Sequence, residues 1–169
     1  MSPHRTANLA ASVHQRLLNL SEKRCENFNL LLTQFAIERF LYRLSRSLYV
    51  DQFVLKGALV FRLWQAPSYR PTRYLDLLGF GVSSQDALSK IIAYLCGLEV
   101  EADGITYDPA SLRIREIREY QINGGQRVEL MASLGQARIP LQIDIGFGDV
   151  LTPDAETSLY PTLLPLPAP

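Results

Sequence analysis

The sequence predicts an α/β protein in which N-terminal helices pack on a mixed, mostly antiparallel sheet. Three observations carry this. Between Thr6 and Leu48 apolar residues recur every three or four positions, the period of an amphipathic helix. From Ile105 to Phe147 alternating or continuous apolar runs are separated by turn signals, the pattern of strands and hairpins. Between these halves a short apolar run, a glycine break and a second helical stripe read as strand, turn and helix. The expected organisation is a helical segment over 1–48, a sheet-bearing core over 49–160 and a Pro-rich tail over 161–169.

Taken in order, Leu9, Val13, Leu17 and Leu20 predict a first helix over Thr6–Lys23. A second carries Leu31, Phe35, Ile37, Phe40, Leu41, Leu44 and Leu48 on one face and Glu38, Arg39, Arg43 and Arg46 on the other. Val54 and Leu55 lead into Lys56-Gly57-Ala58, and "LVFRLWQA" reads as a short buried helix ending before Pro67. Residues 67–73 form a loop, and "YLDLLGF" is a strand broken by Gly79 and Gly81. In "SSQDALSKIIAYLCGL", serine or aspartate N-caps precede a helical apolar stripe. Then "ITYD", "SLRIREIREYQI", the turn Asn123-Gly124-Gly125, "QRVELMASL" and "RIPLQIDIGF" build the sheet. The tail "YPTLLPLPAP" has four prolines in ten residues and reads as a linker.

Bulk properties exclude several classes. The 169 residues, 47% hydrophobic and 20% charged, suit one domain with a real core and argue against disorder. Lys plus Arg and Asp plus Glu are equal at 17 each, so there is no global basic field for nucleic acid. Cys25 and Cys96 have no metal-ligand spacing and suit core packing in a reducing cytosol. No run of about 18 apolar residues spans a bilayer, and the N-terminus has no signal-peptide stretch, so a cytoplasmic protein is expected.

Two segments carry the chemistry. "RPTRYLDLLGFG" and "PLQIDIGFGD" each set one aspartate, Asp76 and Asp144, into an apolar run. A carboxylate there is costly to bury unless a cation or donor meets it, which points to a metal or phosphate site. Residue 74 shares a strand face with Asp76, and a carboxylate there would complete a metal clamp; it is tyrosine. Gly57 would let backbone approach a phosphate at a helix start, with Lys56 and Arg73 adding charge; alternatively Gly57 simply ends a strand and both cations are solvated. Arg70 and Arg73 suit a phosphate or RNA backbone, though loop arginines are often only solvated. Asp76 has the plainer alternative of capping a turn or pairing with Arg73. Asp149, His4 and His14 are not candidate catalysts.

The segments "LKGA", "RPTRYLDLLGFG" and "LQIDIGFGD", in that order, resemble the nucleotidyltransferase-like AbiEii/AbiGii toxin family, which includes the MenT-type toxins. The resemblance implies a nucleotidyltransferase-like fold. It also implies metal-dependent transfer of a nucleotide from a nucleoside triphosphate to an acceptor such as tRNA, and neutralisation by a cognate antitoxin. Asp76 and Asp144 match the family's second and third metal aspartates, expected to hold Mg²⁺ or Mn²⁺, and Lys56, Gly57, Ala58 and Arg73 fall at nucleotide-binding positions. Tyr74 stands in place of the first aspartate. A neutral phenol is a poor ligand for a hard cation, so transfer is expected to be impaired or absent. Tyr74 would then pack its ring over the cation position. Family members continue beyond a segment similar to "YPTLLPLPAP" into a helical half, so an incomplete cleft and exposed apolar sheet surface are expected here. The rivals are a catalytically dead module that still binds nucleotide, RNA or antitoxin, and a structural remnant without a ligand.

Overall fold

The computed structural model describes residues 3–63, 72–81, 83–117, 124–148 and 155–169. Helix α1 spans Pro3–Arg24 and α2 spans Phe28–Ser45. Asn27 starts α2 from an extended conformation, its side-chain oxygen accepting the Leu30 N–H at 3.0 Å. Strand β1, Phe53–Lys56, runs into a 3₁₀ turn over Gly57–Leu59 and a single helical turn, α3, Val60–Leu63. Strand β2 covers Tyr74–Gly79, and α4, Gln85–Gly97, is capped by Ser84. Three long strands follow: β3 Ile105–Ile117, β4 Gly125–Leu134 and β5 Ala137–Phe147.

The five strands form one sheet in the order β1-β2-β5-β4-β3. Only β2 and β5 run parallel; the other neighbours are antiparallel. Helices α1, α2 and α4 cover one face, against β4, β5 and β3 respectively. Alternation then sorts the side chains. Leu75 and Leu77 on β2, Val128, Leu130 and Ala132 on β4, and Ile139, Leu141, Ile143 and Ile145 on β5 point into that core. The intervening Asp76, Arg127, Glu129, Gln142 and Asp144 lie on the opposite face. That face is polar, not the apolar surface expected: of the exposed large apolar side chains among the described residues, only Tyr74 belongs to a strand.

Four further expectations change. "ITYD" and "SLRIREI" are one strand, because a bulge between Asp108 and Arg113 absorbs Pro109 without ending the ladder. The helix after Gly57 is not buried as a whole: Leu59 is, but Phe61 is 48% exposed, since the segment follows an edge strand. Cys25 is exposed, at positive φ where α1 ends, so it does not pack in the core; Cys96 is half-buried, and burial raises its thiol to about pH 11. Residues 118–123, 64–71 and 149, with the side chain of His4, lie outside the described residues.

The fourth change is α2. Most of its polar stripe is buried: Glu38, Arg39 and Arg43 are 0%, 1% and 6% exposed, and only Arg46, just past the helix end, is exposed as expected. The tail expected to be a linker covers it. Tyr160, Leu163 and Leu164 join the core, the Leu163 N–H donates to Glu38 Oε2 at 2.7 Å, and Arg39 donates twice to the Pro167 carbonyl at 2.8 and 2.9 Å. On the other side Asp103 takes Arg43 at 2.8 Å and Arg39 Nε at 3.3 Å, the latter an ion pair without hydrogen-bond alignment. A helix with a sheet on one side and a strap on the other needs apolar and charged residues to be buried together. Periodicity sees only the first requirement.

Candidate functional site

The open face carries a row of charged residues in strict cross-strand register. Lys56 on β1 pairs with Asp76 on β2, Asp76 with Asp144 on β5, Asp144 with Arg127 on β4, and Arg127 with Arg115 on β3. The next row holds Tyr74, Gln142, Glu129 and Arg113. Directly opposed side chains on one face of an antiparallel pair sit about 4.5–5.5 Å apart at Cβ, so residues of a row that face each other across such a pair are within reach of one another.

Asp144 is fully engaged. Arg127 grips it with two hydrogen bonds of 2.7 Å, from Nε to Oδ1 and from Nη2 to Oδ2, and Gln142 Nε2 donates at 3.3 and 3.1 Å to the same oxygens. The two side chains of the pair are 29% and 23% exposed, which leaves the grip largely shielded from water. Arg115 donates a hydrogen bond from Nη2 to Glu129 Oε1 at 2.7 Å, and that pair is exposed to solvent. Asp76 is held differently. Burial and then the neighbouring Asp144 charge push its carboxyl above the usual aspartate range, against the pull of Lys56 and Arg127. The backbone at Gly57 closes over it: φ is +71°, and a Cβ there would stand 2.5 Å from Asp76 Oδ2. Gly57 is therefore required at this turn for the close approach of Asp76 itself.

Tyr74 is half exposed at the start of β2, its N–H bonded to Thr72 Oγ1 at 3.1 Å. Together with Arg73, Arg113, Glu129, Met131 and Gln142 it lines an open hollow of about 450 Å³ beside the aspartates. It thus borders the hollow and is open to solvent.

The family model described as "Nucleotidyl transferase AbiEii toxin, Type IV TA system" matches residues 39–169. The chain belongs to the AbiEii toxin family. Comparison with curated proteins and with solved structures gave no match. The mixed sheet and its helices are consistent with the nucleotidyltransferase-like fold expected of an AbiEii protein.

Of the residues singled out in the sequence, the fold brings Lys56, Gly57, Asp76 and Asp144 together and sets Tyr74 one register step away. Ala58 is half-buried in the turn behind Gly57, and Arg73 stands at the rim of the hollow. Arg70 and Asp149 lie outside the described residues. The sequence reading missed Arg127 and Gln142, the side chains that donate to Asp144 among the described residues.

A pair of divalent cations asks for several charged oxygens converging on one point. Among the described residues no three His, Cys, Asp or Glu side chains are so grouped. In this AbiEii chain the donors are Asp76, under the Gly57 backbone, and Asp144, whose oxygens already accept from a guanidinium. This donor set does not fit two cations.

Proposed function

We propose that this AbiEii-family protein keeps the nucleotidyltransferase frame but not metal-dependent nucleotide transfer. The observation that carries the reading is Tyr74. It stands two residues before Asp76, on the same strand face, where a metal carboxylate would be needed, and lines an open hollow. With one carboxylate short and Asp144 occupied, the site lacks the charge to hold a nucleoside triphosphate through cations. An antitoxin protein remains the partner that membership of a toxin–antitoxin family implies. No helix among the described residues is long and apolar enough to cross a membrane.

The hollow of about 450 Å³, edged by Arg73 and Arg113, favours one further role: a binding module for nucleotide or RNA that works without metal. The test is transfer of label from each α-labelled nucleoside triphosphate to total tRNA with Mg²⁺ or Mn²⁺. The chain is expected to give no more label than its Asp144→Asn variant. Incorporation that is lost in Asp144→Asn overturns the proposal.

A further inference from the structure

We propose that Arg127 is a resident counter-ion that holds Asp144 in the place of a divalent cation, so that residue 127, with Tyr74, determines metal exclusion at this site. The inference deepens the proposed function and rests on it for the identity of the site, but its ground is separate: the charge row and the Arg127 grip.

The row from β1 to β4 sets two cations, Lys56 and Arg127, against two carboxylates, Asp76 and Asp144. Among the described residues it is balanced as it stands. A divalent cation entering it would meet no surplus negative charge from the described residues of the row, and would also have to displace a two-pronged guanidinium and a carboxamide from both oxygens of Asp144. A guanidinium fork matches a carboxylate in shape, is always charged and sheds water more easily than an ammonium. Its position is fixed by the sheet, not by its own flexibility. Arg127 and Asp144 are direct partners across an antiparallel pair whose register runs without a shift from Leu134–Ala137 to Gly125–Gly146. The adjoining row adds no surplus either, because Glu129 is taken by Arg115. Restoring a carboxylate at position 74 therefore adds one negative charge while leaving Asp144 closed. Removing Arg127 leaves only the neutral Gln142 carboxamide on Asp144, but the third ligand is still missing. Only the two together supply both the charge and an Asp144 free of its counter-ion.

The test is Mn²⁺ binding by electron paramagnetic resonance on the purified chain and three variants, Tyr74→Asp, Arg127→Gln and the double variant, with no nucleotide present. The chain and both single variants are expected to leave the free Mn²⁺ signal unchanged at millimolar metal. The double variant should bind at least ~100-fold more tightly than Tyr74→Asp, and adding Asp144→Asn to it should abolish the gain. If Tyr74→Asp alone binds as tightly as the double variant, Arg127 yields to metal without resistance and the inference falls, while the proposed function stands. If the unmodified chain binds Mn²⁺ through Asp144, both fall. Should the double variant not fold, Tyr74→Asp with Arg127→Lys decides the matter, since lysine keeps a cation without the fork. It is expected to bind ~10-fold more tightly than Tyr74→Asp alone, and equal affinity overturns the inference.

Discussion

Arg39→Ala should lower the unfolding free energy by about 3–5 kcal/mol, the largest single-residue effect expected in this protein. The side chain is 1% exposed and serves four neighbours at once. Removing it strands the Pro167 carbonyl, which loses both its N–H donors. It takes the nearest cation from Glu38 and one of two from Asp103. It also opens a void beside Tyr42, whose ring lies 4.4 Å from the guanidinium carbon. None of these losses is offset by water, because the cluster is sealed between α2 and the tail. Urea unfolding of the variant, with the exposed Arg46→Ala as a control expected within about 0.5 kcal/mol of the parent, measures the difference. A loss for Arg39→Ala below about 1 kcal/mol would mean that the tail does not seal α2.

The second large effect is a dependence on pH. Burial, opposed by the Leu163 N–H and by Arg39 and Arg62, raises Glu38 from its ordinary value of 4.5 to about 7. Folding therefore takes up a proton between those two values. The contribution is fully present below pH 4.5 and is lost as the pH rises through 7. At 1.36 kcal/mol per pH unit it amounts to about 3 kcal/mol. Glu38→Gln keeps an acceptor for Leu163 but cannot ionise. Its stability relative to the parent should thus grow by roughly that amount between pH 5 and pH 8 in paired denaturant titrations. A constant difference across the range would show that Glu38 is not sealed from water.

Both effects lie where the sequence was hardest to read. The apolar stripe of α2 gave the helix and its sheet-facing side, and Val13 and Leu17 of α1 are fully buried as their spacing predicts. Glu38, Arg39 and Arg43 read as a solvated face because a helix pattern cannot announce a second covering surface. That surface is the tail, where four prolines suggested a linker. Proline excludes the tail from the sheet, but Tyr160, Leu163 and Leu164 remain free to pack, and Glu38 and Arg39 bond its backbone in place of a neighbouring strand.

The site was legible in part for a similar reason. Asp76 and Asp144 stand out in their segments, and the argument that a cation must meet a carboxylate among Ile residues holds for Asp144. The cation is Arg127, from the chain itself. It was missed because one strand pattern says nothing about its neighbour's register. The hairpin could have supplied it. Gly135, at φ +59°, and Gln136 form a two-residue turn, so Leu134 faces Ala137. Stepping back along both strands from that pair brings Arg127 opposite Asp144 and Glu129 opposite Gln142. Gly57 shows the converse. Its requirement was visible as a glycine turn, but the atom it makes room for belongs to Asp76, which only the pairing of β1 with β2 reveals.

The central claim is that this AbiEii frame no longer binds nucleotide through metal, and a thermal melt tests it most directly. The chain would be melted with 1 mM of each nucleoside triphosphate, once with excess Mg²⁺ and once with EDTA. Paired melting temperatures that agree within about 1 °C are the predicted result, since a ligand shifts stability only as far as it binds the folded state. A Mg²⁺-dependent rise of about 5 °C or more for any nucleotide, abolished by Asp144→Asn, would contradict the account.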